Sequence, residues 1–222
     1  MDTAEQTLRA DIVAACREMT SAGINQGTSG NVSARHGDRL LITPSATPYD
    51  EMTPEMIAAL PLEGTGGAWE GPRRPSTEWR FHRDIARARP EVGAIVHAHP
   101  PHATAFAICR RPIPAAHYMV AAFGGPDVRC SGYATFGTAA LSREALAALE
   151  GRTACLLANH GMIAVGETLA RALWRAVELE TLARQYALAL QIGAPVLLTG
   201  AQVAEAADAF SGYGLGDPED DG

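Results

Sequence analysis

The stretch VGAIVHAHPPHATAFAICR, residues 92–110, passes from an apolar strand pattern through two prolines into a helical one. Val92 to His99 is short, rich in branched apolar residues and stopped by Pro100-Pro101, as a buried strand would be. HATAFAICR, behind the prolines, reads as a helix. A strand that hands its chain to a helix is a building unit of α/β proteins. The same strand ends in histidine, and three of the chain's seven histidines fall between Val96 and His102. Residues i and i+2 of a strand face the same way, with Cα atoms roughly 6–7 Å apart. His97 and His99 therefore project side by side, and both imidazoles can reach one cation at ~2.0–2.1 Å. The spacing equally suits a strand that merely ends in polar side chains. His102, beyond the prolines, fits a supporting role.

Upstream, Leu8, Ile12, Val13, Cys16 and Met19 recur along residues 4–20 at amphipathic-helix spacing, and Gly23 ends the run. GINQGTSGNVSAR (23–35) has the composition of a loop, RLLITP (39–44) of a short strand, and Thr53-Pro54 of a helix start. Residues 63–75, EGTGGAWEGPRRP, read as a turn-rich connection. A helix is expected from Ser76 to just before Pro90. Downstream, PIPAAHYM (112–119) is extended and fixed by prolines, and Thr138 opens a helix to residue 150. TACLLANHGMIAVG (153–166) reads as two apolar strands joined by a turn at Asn159-His160-Gly161. A long helix over 168–191 and a short one near 200–210 complete the pattern. Helices and strands alternate without a GxGxxG sequence, so the fold class is α/β but not of the dinucleotide-binding kind.

A chain of 222 residues with 47% hydrophobic and 19% charged residues is long enough for one sizeable core. Its formal net charge of -7 argues against nucleic acid or an anionic membrane as partner. A pocket can still be locally positive through a metal or backbone amides, so anionic small molecules stay open. MDTAEQTLRADIV has no basic region before an apolar core, and no apolar run reaches about 18 residues, so neither a signal peptide nor a transmembrane span is expected. Cys16, Cys109, Cys130 and Cys155 are far apart with no CxxC pair, which favours four buried thiols in a cytoplasmic protein.

His160 is the best third partner for the strand histidines, because a turn between two apolar strands places it at the open end of a sheet. His36 reads as an exposed loop residue, and His82 as able to hydrogen-bond across its helix to Glu78. Glu78 sits where a helix is expected to start, a place that favours a carboxylate whether or not it does chemistry. Ser76 and Thr77 beside it bring hydroxyls and helix-start amides that suit an anion. GTSGN (27–31) offers a second such cradle, though a run of this kind also serves as a plain loop.

GTSGNVS (27–33), LITPSATPYDEMT (41–53), PSTEWRFH (75–82), AIVHAHPPHATA (94–105), IPAAHYM (113–119), YATFGT (133–138) and NHGMIAVG (159–166) come in a telling order. Together they resemble class II aldolases of the aldolase/adducin-head family, nearest to those that cleave L-fuculose 1-phosphate, over about residues 5–214. The resemblance implies one domain over 1–214 and an acidic tail over 215–222. It implies a central, largely antiparallel β-sheet between helical layers, and a homotetramer with sites at subunit contacts. It implies Zn²⁺, or another divalent ion such as Mn²⁺ or Co²⁺, held by His97, His99 and His160, with Glu78 as a fourth ligand that leaves to become the acid/base. Phosphate would meet Thr28, Gly30, Asn31, Ser45, Ala46, Ser76 and Thr77. Tyr118 would reach in from a neighbouring subunit, and Tyr213 would lie on the tail.

The activity implied is cleavage of a phosphorylated ketose (L-fuculose, 5-deoxyribulose or methylthioribulose 1-phosphate) into dihydroxyacetone phosphate and an aldehyde. Rival activities within the family are a sugar-phosphate 4-epimerase and a keto-acid phosphate decarboxylase; a non-catalytic adducin-head-like assembly module is a third. Ala46 departs from the family pattern, standing where a glycine is usual, and Ser45 replaces a threonine. The acidic end GDPEDDG departs as well.

Overall fold

The computed structural model describes residues 2–64 and 66–212, with side chains to Phe210. Tyr213 and the acidic stretch 215–222 lie outside the described residues. The first helix, α1 (Thr3–Ser21), is capped by the Asp2 carboxylate, which accepts from the Glu5 N–H at 2.8 Å. Six strands follow: β1 (Asn31–His36), β2 (Arg39–Ile42), β3 (Ala58–Pro61), β4 (Ala94–Ala98), β7 (Ala154–Leu157) and β8 (Gly161–Gly166). They form one sheet in the order β3-β2-β1-β4-β8-β7, with every neighbouring pair antiparallel. A two-stranded ribbon, β5 (Ile113–Pro114) with β6 (Asp127–Val128), stands apart.

Alternation along the strands sends neighbouring residues to two separate cores. Leu41, Val96, Leu156 and Ala164 face α1, α3 (Pro101–Ile108) and α5 (Leu169–Ile192), where Ile12, Met19, Phe106 and Leu179 are buried. Leu40, Ile95, Cys155 and Ile163, one position away in each strand, face α2 (Trp79–Ala88) and α4 (Ala139–Ala148) through Phe81, Ile85, Leu141 and Ala145. The sheet is therefore covered by helices on both faces, as the resemblance implied. α6 (Gly200–Gly212) packs on the 3₁₀ segment Tyr118–Phe123.

Several expectations need correction. The loop-like GTSGNVSAR contains β1, a central strand. Val32 and Ala34 supply its apolar face, while Asn31 and Ser33 turn polar groups to partners on α2. α2 begins at Trp79 rather than Ser76, because Pro75, Ser76 and Thr77 continue from a bridge between Pro44 and Pro75. β3 arises in Ala58–Pro61, a stretch without strand-forming residues, because β2 offers it a hydrogen-bonding edge. The thiols are not uniformly buried. Burial pushes Cys155 up to about 12 and raises Cys16 further, but Cys130 is partly exposed and Cys109 is exposed. Among the described residues no helix is long and apolar enough to cross a membrane.

Candidate metal centre

The strand order brings β1, β4 and β8 side by side, so that residue 97 lies opposite Asn31 on one side and Ile163 on the other. His97 is fully buried and points to the α2 side, its ring edge-on to Phe81 at 5.5 Å. Its Nδ1 donates to the Met162 carbonyl at 2.8 Å, which leaves Nε2 free to act as a ligand. His99 follows just beyond the strand. Its Nε2 is 3.0 Å from Nε2 of His97.

His160 comes from the turn between β7 and β8, where Asn159 takes the left-handed conformation (φ 54) that this residue type tolerates. The turn closes with the His160 N–H on the Leu157 carbonyl at 3.0 Å. Gly161 is required by contact: a Cβ there would sit 2.5 Å from both the Ala98 carbonyl oxygen and the His99 ring. The three imidazoles are mutually edge-on with centroids 4.8 Å apart, and the three ligand atoms all lie within 4.8 Å of one another.

Glu78 occupies the N-cap position of α2 without capping it. Its carboxylate instead turns to the histidines, with Oε2 3.0 Å from His97 Nε2 and Oε1 3.3 Å from His160 Nε2. Asn31 Nδ2 donates to Oε2 at 3.0 Å, while Oε1 is buried and makes no hydrogen bond. Burial acts to raise the Glu78 carboxyl, but the charge on His97 and its hydrogen bond, followed by His160 and Asn31, hold it well below the usual carboxylate range. Burial acts to lower His97, but Glu78 overcomes this and raises it. Burial, then repulsion from His97, takes His99 down to about 3 and His160 to about 4. Neutral imidazoles at these two positions have lone pairs to give.

The donor set fits a divalent ion. Four ligands at ~2.0–2.1 Å in tetrahedral array stand ~3.3 Å from one another. The contacts of 3.0 and 3.3 Å here approach that spacing, and the unbonded Glu78 Oε1 is a buried acceptor in want of a cation.

A cleft of about 390 Å³ opens above the centre. Thr28, Gly30, Asn31, Ser45, Ala46, Ser76 and Thr77 all line it, together with Glu78, His99 and His160. The Ser45 N–H goes to the Arg74 carbonyl and the Ser76 N–H to the Thr43 carbonyl, so these two residues present hydroxyls rather than the amides expected of a helix start. Gly30 is held close, since a Cβ there would meet Asn25 Oδ1 at 2.6 Å and the His97 carbonyl at 2.9 Å. Ala46 has φ 51, a left-handed conformation that glycine would adopt without strain.

Other residues fall elsewhere. Tyr118 is about half exposed, outside the cleft wall of its own chain, and stacks on Phe210 with centroids 6.0 Å apart. His82 does not bond to Glu78. It is fully buried, with Nδ1 2.7 Å from Ser33 Oγ and Nε2 2.5 Å from Asn31 Oδ1. His102 pairs with Glu180 at 2.6 Å, and the same carboxylate accepts from the His102 and Ala103 N–H groups at the start of α3. His36, only partly buried, lies 3.4 Å from Asp2. Sequence reasoning missed Tyr133, Phe136 and Asn159 on the cleft wall. The block YATFGT was a signal for the first two.

Residues 10–187 match the model of the class II aldolase and adducin N-terminal domain. The chain is 53% identical over 207 residues to the 5-methylthioribulose-1-phosphate/5-deoxyribulose-1-phosphate aldolase of Rhodospirillum rubrum, covering 93% of this chain and 92% of that protein. It is 46% identical over 209 residues to the L-fuculose phosphate aldolase of Escherichia coli K12, covering 94% and 96%. Among solved structures, an L-fuculose 1-phosphate aldolase superposes with a TM-score of 0.89 at 35% identity, covering 95% of this chain and 98% of that one.

Proposed function

The chain belongs to the class II aldolase and adducin N-terminal domain family, and from that premise we propose that it is a metal-dependent aldolase that cleaves a ketose 1-phosphate to dihydroxyacetone phosphate and an aldehyde. The observation that carries the reading is the meeting of Glu78 with His97, His99 and His160 at the floor of a cleft walled by hydroxyls. His97, His99 and His160 would hold the ion, with Glu78 as fourth ligand. Zn²⁺ suits this donor set, and Mn²⁺ or Co²⁺ is also compatible with it. Once bound, the ion supplies Lewis-acid stabilisation of the negative charge that builds as the carbon–carbon bond breaks.

The chain's own residues do the rest. Thr28, Gly30, Asn31, Ser45, Ala46, Ser76 and Thr77 would hold the phosphate, which fixes the reacting carbons beside Glu78. The C4 hydroxyl gives up its proton as its oxygen becomes the aldehyde oxygen, and the C3–C4 bond breaks. Glu78, ionised while it faces the histidines, would turn from them as substrate binds, take up a proton and deliver it to C3. The proton lost from the C4 oxygen is thus balanced by the one gained at C3. Tyr118 is exposed and free to reach a neighbouring copy, and in a homotetramer it would meet the proton on the C4 oxygen. Tyr213 would join these as a substrate-binding residue.

Exposed Tyr133 and Phe136 on the wall favour an apolar substituent at the aldehyde end. This, with the 53% identity to the methylthioribulose/deoxyribulose enzyme, supports a preference for 5-methylthioribulose and 5-deoxyribulose 1-phosphates over L-fuculose 1-phosphate. The test is to incubate zinc-loaded protein with these three ketoses and assay dihydroxyacetone phosphate. Release of the triose, with the highest kcat/KM on one of the two ribulose derivatives, is expected. Formation of an epimer with no triose would overturn the reading.

A further inference from the structure

A buried chain of side chains runs from β1 to Glu78 through α2. Asn31 Nδ2 lies 3.0 Å from Glu78 Oε2, and an ionised carboxylate can only accept, so the Asn31 amide must present its NH₂ end there. Asn31 Oδ1 then faces His82 Nε2 at 2.5 Å, and a carbonyl oxygen can only accept, so His82 must carry its proton on Nε2. Burial, then His97, lowers the His82 pKa to about 3, so the ring is neutral and Nδ1 is an acceptor. The Ser33 hydroxyl, 2.7 Å away, donates to it. Every group in the series has its donor or acceptor role fixed by the next. Phe81 stacks on the His82 ring with centroids 4.6 Å apart, which limits its rotation.

We propose that His82 is a positioning residue of the active site: as the Nε2–H tautomer, with Ser33 donating to its Nδ1, it anchors the Asn31 oxygen and so holds the amide where Asn31 donates to Glu78. Without His82 the Asn31 oxygen loses its donor, and the amide is anchored only at its Glu78 end, free to swing about that single bond. Glu78 would then lose a fixed donor at Oε2, beside His97, and with it part of what defines its position between the histidines and the cleft. Asn31 also lines the cleft, so the same lock orients a group placed to meet the substrate. The inference rests on the proposed role of Glu78 for its catalytic consequence, but not for the hydrogen bonds themselves.

Two measurements separate these parts. In metal-free protein, long-range ¹H–¹⁵N spectra of the imidazoles are expected to show His82 neutral with its proton on Nε2 from pH 5 to 8, a readout that needs no activity. A proton on Nδ1, or a charged ring in that range, would overturn the lock. The second is a cycle on kcat/KM with His82→Phe, which keeps the ring stack but not the bonds, and Asn31→Leu. Loss of a partner that orients a ligating group typically costs 10–100-fold. His82→Phe should cost that much alone and less than about threefold in the Asn31→Leu background, since it acts through Asn31. Fully additive losses would overturn the proposal. If His82→Phe does not fold, Ser33→Ala serves: it removes the donor to His82 Nδ1, so kcat/KM should fall in the wild-type background and change little in Asn31→Leu, and fully additive losses would refute the chain. Should wild-type protein cleave no ketose phosphate, the proposed activity fails while the tautomer result stands alone.

Discussion

Replacing Glu78 by Gln isolates the proton-transfer role of the carboxylate. The side chain is nearly enclosed, with its oxygens 3.0 Å from His97 and Asn31 and 3.3 Å from His160, and an amide fits the same volume. Its carbonyl oxygen can still accept from Asn31, and three imidazoles remain for the metal. What disappears is a group that can carry a proton to the substrate carbon. A positioned acid/base contributes ~10²–10⁴-fold. At about 1.36 kcal/mol per tenfold, that is ~3–5 kcal/mol of barrier. The assay is initial-rate release of dihydroxyacetone phosphate from protein whose metal content has been matched to wild type. The variant should bind substrate with little change in KM and turn over at least a hundredfold more slowly. Its exchange of deuterium from solvent into dihydroxyacetone phosphate should fall in parallel. Turnover within threefold of wild type at equal metal content would show that Glu78 is not the acid/base.

Other consequences concern stability. Ala46 pays the left-handed penalty of ~1–2 kcal/mol, of which glycine would recover part against its own ~0.5–1 kcal/mol entropy cost, so Ala46→Gly should raise Tm by roughly 1–4 °C; a lower Tm would mean the methyl is usefully packed. Glu5 is buried and accepts from Arg9 at 2.7 Å and Arg39 at 2.6 Å, so Glu5→Ala strands a buried guanidinium at a cost of ~3–5 kcal/mol. Thermal melts should show a drop on the order of 6–20 °C, and a loss under 2 °C would refute the buried-pair account.

For metal-free protein, His82, His99 and His160 are held below their ordinary value of about 6.5, near 3, 3 and 4. Lowered histidines leave the unfolded chain binding more protons below that pH, so stability is full above about 6.5 and falls as pH drops toward 4. His97 is raised and opposes this, its contribution fading instead as pH rises through its folded value. Three against one, Tm should decrease from pH 7 to pH 5; a rise would contradict the burial of neutral imidazoles.

Period and punctuation made the two strand histidines legible, because the i, i+2 spacing and the Pro100-Pro101 stop are local facts. The turn at His160 was equally local, with Asn159 in the left-handed region and Gly161 under the His99 ring. β1 was not legible as a strand. Asn31 and Ser33 look like loop residues until β2 and β4 close on either side and α2 satisfies their side chains. His82 failed for the same reason. Read along its helix it faces Glu78, yet its partners are 49 and 51 residues away in sequence. The start of α2 was misplaced because Ser76 and Thr77 resemble caps, while the backbone there is held by Thr43 of the facing segment. The aromatic wall of Tyr133 and Phe136 carries no periodic signal, since its strand-free segment takes its place from the elements around it.

The central claim is that His97, His99, His160 and Glu78 grip one cation, and elemental analysis of protein purified without chelators tests it most directly. The account predicts about one divalent transition metal per chain in wild type and near-complete loss in His97→Ala with the fold retained. A correctly folded wild-type protein that carries no such metal and takes up neither Zn²⁺ nor Co²⁺ on addition would contradict it.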